Sequence, residues 1–487
     1  MLSNIKVAPN RPVMFSKLGR ILPVASCAVL VCVGLWVCFN FYALQCYVAR
    51  WQYVFAMLDG AKVPDSGVKI PFQYYDNEIF IEQKQKNGTV LFLQVDTGAS
   101  GSQFDQSAPI SMKPAGVDSD VSPGSDAHLY TAPVYYVTSL QFAEINIPTL
   151  VARKGDNRMI SSLVGREVHG VIGQDLLGYF SVELNYPEKL LVLKPLTSTH
   201  QKGPPWSHKC PTVLMTIAGH EAVGVIDSGS DIVAIPDSMS GWMNEFEMRT
   251  YVLGDSKERK GRVSTTDDIS VANQSLKGIP VGAGKYDMPL VGNSWLKFFD
   301  VIMISRTDTV ETKLRDWKYG DELRVLLAKR QWQKAIDLIA GDDSVSSDDS
   351  EHSEDSERAA HYKGSKDWRI NLTLMNCYDQ LKQSEKAAEI AHSLGKRFPS
   401  EEWYWRIEEA KFLHRANKDA SAEALLHPLF SSETSDSFGV LAGVRSLADD
   451  PVEGLAVCDR LLQRYPNSSA LKNISKFLEH QINGIKH

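Results

Sequence analysis

Residues 79–100 read IFIEQKQKNGTVLFLQVDTGAS, and residues 213–231 read VLMTIAGHEAVGVIDSGSD. The first stretch has apolar Ile79 and Ile81 in alternation, turns at Asn87-Gly88 and runs as an apolar strand into Asp96. A period of two marks a half-buried strand, and Asn-Gly is the pair a type I′ hairpin turn needs. The second stretch turns at Gly219 and runs as a strand into Asp227. Turn glycine and aspartate are eight residues apart in both. A hydroxyl, a glycine and a small residue follow each: Asp96-Thr97-Gly98-Ala99 and Asp227-Ser228-Gly229-Ser230.

The tripeptide alone is weak, since Asp65-Ser66-Gly67 also carries it. There Pro64 precedes and no apolar strand leads in, which reads as an ordinary turn. The other two differ in their downstream sequence. GVIGQDLL at 170–177 is succeeded by Phe180 and two apolar strands, and PLVGNSWL at 289–296 is succeeded by Phe299 and another. An apolar pair plus glycine, a short helical turn and a closing strand thus recur in each half.

On these residues the chain resembles the retropepsin-like (pepsin-clan) aspartic proteases, in which each lobe carries an Asp-Thr/Ser-Gly loop and a later apolar-apolar-Gly strand. The match covers about residues 69–306, with one lobe at 69–198 and a second at 199–306. The lobes are short, like two retroviral protease subunits fused. The resemblance implies an all-β, two-lobed fold with one site shared between the lobes. Two carboxylates within hydrogen-bonding distance share one proton. The ionised member takes a proton from water while the protonated member polarises the scissile carbonyl. Asp96 and Asp227 are therefore the expected catalytic dyad of an endopeptidase acting on protein or peptide substrates, with no cofactor and no metal. The pair titrates as a unit.

Gly98 and Gly229 allow a tight turn with amides facing the carboxylates. By the resemblance, Thr97 and Ser228 hydrogen-bond across the lobe interface. Ala99 and Ser230 differ, and a hydroxyl in the second loop is expected to bond its carboxylate and favour the charged form. Candidate flaps are Ser122–Tyr130 and Gly254–Gly261. The alternative is a catalytically inactive scaffold of the same fold that holds extended peptides by strand addition. GxSxG, HExxH and P-loop motifs are absent from the sequence. His169, just before the Gly170 strand, reads as a surface or edge residue.

The 487 residues are 43% hydrophobic and 23% charged, enough for about three units of domain size. Net charge is −7, and residues 341–358 (GDDSVSSDDSEHSEDSER), with eight acids and one Arg, account for all of it. This acidic Ser-rich insert reads as a solvated loop. The near-neutral remainder offers no basic face for phosphates, so no nucleic acid is expected as partner. Cys27, Cys32, Cys38 and Cys46 lie in one apolar run, leaving Cys210, Cys377 and Cys458 without CxxC spacing. These three read as small buried thiols, not as a disulfide framework or zinc site.

Residues 1–20, a basic tail, carry Lys6, Arg11, Lys17 and Arg20 and no acid, and no charge follows from Ile21 to Ala49. That run is long enough to cross a bilayer as a helix, with its basic flank cytoplasmic. Residues 21–48 are thus expected to be an uncleaved signal anchor, 49–68 a juxtamembrane linker, and the bulk extracytoplasmic. The arrangement resembles periplasm-facing bacterial proteases tethered to the inner membrane. A cleaved signal peptide fits less well, because the run is too long and no small-x-small site follows it. The linker is too short for a pepsin-type prosegment, so zymogen control is not expected.

After Ile304 the period changes from two to helical. Arg-Phe-Pro ends at Pro399 and Arg-Tyr-Pro at Pro466, 67 residues apart, two periods of roughly 34. Small residues, Ala387 and Gly454, stand twelve residues ahead of each proline. Residues 312–487 therefore resemble a tetratricopeptide array, an α-helical repeat domain whose groove would take a protein partner, recruiting substrate or a regulator. The alternative is a helical cap that stabilises the β region. Trp403, Tyr404 and Trp405 are candidate groove aromatics or core.

Overall fold

Strand-forming, period-two sequence gives way to helix between Leu314 and Gly320 in the computed structural model of the chain, so a β-rich region precedes a helical one. The structure describes residues 31–34, 63–75, 77–121, 129–196, 210–243, 247–252, 258–266, 269–304, 309–314, 320–341, 367–431, 437–448 and 450–485. The first half contributes β1 (Val68–Tyr75), β2 (Glu78–Lys84), β3 (Val90–Val95), β4 (Gln103–Asp105), β5 (Met112–Val121), β6 (Leu129–Phe142), β7 (Ile145–Gly155), β8 (Gly170–Ile172), β9 (Phe180–Asn185) and β10 (Leu190–Pro195). The second contributes β11 (Thr212–Ile217), β12 (His220–Ile226), β13 (Val233–Pro236), β14 (Glu247–Val252), β15 (Glu258–Thr266), β16 (Ile269–Val271), β17 (Gln274–Leu276), β18 (Ile279–Gly284), β19 (Leu290–Val291), β20 (Phe299–Ile304) and β21 (Thr309–Leu314).

The repeated spacing is a repeated topology. In the first half the strands lie in the order β5-β6-β7-β4-β8-β3-β2, and in the second β14-β15-β18-β13-β19-β12-β11. Hairpin β16–β17 is an addition on β11. In each half the strand entering the aspartate runs parallel to the later glycine strand, with Val95 opposite Ile172 and Ile226 opposite Val291. β3 is buried at five of its six positions, as an apolar run covered on both faces should be. The halves are joined through their closing strands: β20 pairs antiparallel with β9, Val301 opposite Leu184.

Two local expectations change. The Asn87-Gly88 loop is not a type I′ turn, because only Gly88 has positive φ and Asn87 Oδ1 accepts from the Thr89 N–H at 3.1 Å. The type I′ pattern falls instead at Ala218-Gly219, with φ of 49° and 80° between paired Ile217 and His220. Secondly, β21 pairs with β20 through Leu314, so strand structure continues past 306 and into the span expected to be helical from 312.

Helices are α1 (Arg158–Val164), α2 (Gln174–Leu177), α3 (Asn293–Leu296), α4 (Gly320–Ala328), α5 (Trp332–Gly341), α6 (Trp368–Gln380), α7 (Ser384–Arg397), α8 (Glu402–Arg415), α9 (Asp419–Ser431), α10 (Ser437–Ser446), α11 (Pro451–Arg464) and α12 (Ser469–Ile485). Asp367 caps α6 through the Arg369 N–H, and Asp450 caps α11 through Val452 and Glu453, with Pro451 at its first position.

The helical region does not stand apart. One buried cluster runs from β1 through Leu323, Ile339, Trp368, Leu374, Ile390 and Trp405. A second cluster, from Ile407 to Leu478, belongs to α8–α12 alone. Trp403 and Tyr404 pack on Tyr75, Phe80 and Phe92 of the β region, and Trp405 is core, so these three line a junction and a core, not a groove.

Apart from residues 31–34, which are helical, the anchor expected at 21–48 lies outside the described residues, as do residues 342–358 of the acidic insert. Among the described residues no helix is long and apolar enough to cross a membrane. Both candidate flaps fall at hairpin tips, β5–β6 and β14–β15, with residues 122–128 and 253–257 outside the described set.

Candidate active site

Each aspartate leaves its strand one residue beyond the parallel pairing. The Asp96 N–H donates to the Ile172 carbonyl and the Asp227 N–H to the Val291 carbonyl, both at 3.0 Å. The next residues lock the halves together. Thr97 Oγ1 accepts from the Ser228 N–H at 2.9 Å and donates to the Ile226 carbonyl at 2.8 Å. Reciprocally, Ser228 Oγ accepts from the Thr97 N–H at 3.1 Å and donates to the Val95 carbonyl at 2.8 Å. Both side chains are fully buried.

The glycines are required by contact. A Cβ on Gly98 would stand 2.4 Å from Asp227 Cγ, and one on Gly229 would stand 2.4 Å from Asp96 Cγ. Each glycine thus packs on the opposite carboxylate, and the two carboxyls hydrogen-bond each other. Both aspartates keep an edge open to solvent.

The two loops are not electrostatically equal. Asp96 Oδ1 accepts from the Gly98 and Ala99 N–H groups at 2.8 and 2.9 Å, while Asp227 Oδ1 accepts from Gly229 at 2.9 Å. Burial pushes both carboxyls above the ordinary range, and at Asp227 the neighbouring Asp96 charge pushes further. Backbone donors favour the charged form. Negative charge therefore sits more easily on Asp96 and the proton on Asp227. Ser230 does not play the part expected of it: its hydroxyl donates to the Ile232 carbonyl at 2.9 Å, and its N–H donates to the Asp227 carbonyl at 3.3 Å.

Two supporting residues escaped the sequence reading. Gln174 Nε2 donates to the Thr97 carbonyl at 2.9 Å and Asn293 Nδ2 to the Ser228 carbonyl at 2.8 Å. Their backbone N–H groups donate to Ala99 and Ser230, both at 2.8 Å. Each buried amide thereby ties its loop at two points. The signal was present, since both follow the glycine of the repeated apolar-apolar-Gly strand. Beside Gln174, Asp175 accepts from Ser102 Oγ at 2.6 Å, and burial lifts its carboxyl to about 6.

Other candidates fall elsewhere. His169 Nδ1 accepts from the Phe92 N–H at 2.9 Å, so it joins β3 to the segment before β8 between two interior strands, a largely shielded place and not a sheet edge. Cys377 and Cys458 are buried, whereas Cys210 is only half-buried and its thiol donates to the Gly98 carbonyl at 2.9 Å. That corrects its reading as a core thiol. Among the described residues no group of three or more His, Cys, Asp or Glu is placed to hold a metal ion. No protein-family model matches the chain, and comparison with curated proteins finds no match.

Proposed function

We propose that the chain is a retropepsin-like aspartic endopeptidase, hydrolysing peptide bonds of protein substrates, held by an N-terminal membrane anchor on the extracytoplasmic side. The observation that carries this reading is the hydrogen-bonded pair of carboxylates, Asp96 and Asp227, each backed by the other loop's glycine. Asp96, with two backbone amides on one oxygen, acts as the base that takes a proton from water. Asp227 holds the proton and donates it towards the scissile carbonyl oxygen as the water oxygen bonds to carbon. The resulting tetrahedral diol collapses as Asp96 gives its proton to the leaving nitrogen and Asp227 takes one back from a diol hydroxyl, which breaks the C–N bond and restores the dyad. The buried amides, hydroxyls and glycines keep the carboxylates in place, so little reorganisation is needed during the reaction.

The helical region is proposed as a tetratricopeptide-like array. Its later helices, with a core of their own, are the part suited to recruiting substrate or a regulator.

The test is to incubate the full-length protein in detergent with a mixed peptide library from about pH 4 to about pH 7.5, a span that crosses carboxyl titration. Asp96→Asn and Asp227→Asn are run alongside. Cleavage by the intact protein that both substitutions abolish is the expected result. Retention of peptides without cleavage would replace this reading with the binding scaffold.

A further inference from the structure

We propose that Tyr186 is a positioning residue through which the helical region sets the second catalytic loop; the functional consequence rests on Asp227 being half of a catalytic dyad. Tyr186 directly follows β9 in the first half, and Asn293 begins α3 in the second. The Tyr186 hydroxyl donates to Asn293 Oδ1 at 2.5 Å, and both side chains are fully buried. An amide has one accepting and one donating end. The Ser228 carbonyl can only accept, so Nδ2 faces it and donates at 2.8 Å, which leaves Oδ1 to be held by the phenol. The tyrosine therefore holds the far end of the amide that ties Asp227's loop.

The helical region grips the same β9–β10 turn. Trp368 Nε1 donates to the Tyr186 carbonyl at 3.4 Å, and its ring lies 4.9 Å from that of Tyr74, itself edge-on to Tyr186. Three residues on, Lys189 Nζ donates to both Glu401 oxygens at 2.7 and 3.0 Å, between the rings of Trp368 and Phe398. Lys189, the last residue of that turn, has φ of 52°, a left-handed conformation unfavourable for a non-glycine residue. Such strain persists only where surrounding contacts impose it. Here the hairpin turn does so, the Lys189 N–H donating to the Tyr186 carbonyl at 3.1 Å between paired Asn185 and Leu190, and the ion pair anchors that turn to the helical region. A continuous set of contacts thus links Trp368 and Glu401, through Tyr186 and Asn293, to Ser228. The first loop takes its amide from Gln174 instead.

The experiment compares full-length wild type with Tyr186→Phe, Asn293→Ala, the double variant and Trp368→Leu. Hydrogen exchange is followed in peptides spanning 90–100 and 223–231, with peptide-cleavage kinetics in parallel. Tyr186→Phe is expected to speed exchange in 223–231 but not in 90–100. It should lower kcat about tenfold with KM within about twofold, the size of one hydrogen bond lost at a positioned group. The double variant should be no slower than Asn293→Ala alone, and Trp368→Leu should loosen the same peptide. Unchanged exchange in 223–231 for Tyr186→Phe, or additive losses in the double variant, would overturn the proposal. Exchange needs no substrate, so the coupling is decided even if the protein cleaves nothing.

Discussion

Thr97 and Ser228, one in each half, each accept the other's backbone N–H and donate to a carbonyl of the opposite strand. Both are fully buried, so deleting one hydroxyl strands its partners. Ser228→Ala leaves the Thr97 N–H and the Val95 carbonyl unpaired, at about 1–3 kcal/mol for a buried group. Denaturant unfolding should show a loss of about 2–4 kcal/mol. Thr97→Ser keeps both hydrogen bonds and should lose only about 1 kcal/mol, for one buried methyl.

Gly98→Ala places a methyl where the Asp227 carboxylate stands. The dyad must separate, and a displacement of about 1 Å costs on the order of 100-fold in rate. Cleavage assays should show that loss with the far-ultraviolet circular dichroism unchanged. Gly241→Ala, at an exposed position with open space around its Cβ and no left-handed φ, serves as the control and should leave the rate near wild type.

Asp175 ties stability to pH. Its folded carboxyl titrates at about 6, above the ordinary value near 4. Between those values the folded protein holds a proton that the unfolded chain releases, so stability falls as pH rises through the window and levels off above it. The dyad carboxyls, also raised, contribute in the same direction. Asp175→Asn, which can still accept from Ser102, should flatten the wild-type slope by on the order of 2 kcal/mol across that window. Unfolding free energies at several pH values measure it.

Lys189 and Glu401 form an ion pair whose side chains are 8% and 2% exposed. Removing one charge from a buried pair costs about 3–5 kcal/mol because the other is left uncompensated. Glu401→Gln should destabilise by that amount. Lys189→Met added to it should recover most of the loss, since a methionine fits between the Trp368 and Phe398 rings and the glutamine still accepts from Trp405 Nε1. Thermal melts of the single and double variants decide it.

Two glycines should respond in opposite directions. Gly454 lies inside α11, and a Cβ there would meet only ordinary contacts at 3.4–3.9 Å. Gly454→Ala should raise stability by about 0.5–1 kcal/mol. Gly165 caps α1 with φ of 69°, and a Cβ there would press on Ala442 at 2.7 Å and Trp403 at 3.0 Å. Gly165→Ala should therefore lower the melting temperature and loosen α10 from the β region.

The amino-acid sequence by itself determined the paired hairpins, the two Asp-hydroxyl-Gly loops, the later glycine strands and the change to helix, because strand alternation, turn residues and helical period are local properties. It also marked Thr97, Gly98, Ser228 and Gly229 through their equal spacing. Only the tertiary structure decided what donates to each carboxylate, since the Ser230 hydroxyl turns to Ile232 while the extra donor to Asp96 is the backbone amide of Ala99. It likewise decided that β21 extends the sheet, that Ala218 and not Asn87 takes the type I′ conformation, and that the helical region docks on the β9–β10 turn. Tyr186 and Asn293 are 107 residues apart, and Lys189 and Glu401 are 212 apart. Contacts at such separations leave no periodicity along the chain; they arise only when packing brings the two segments together and removes the water that would otherwise satisfy them.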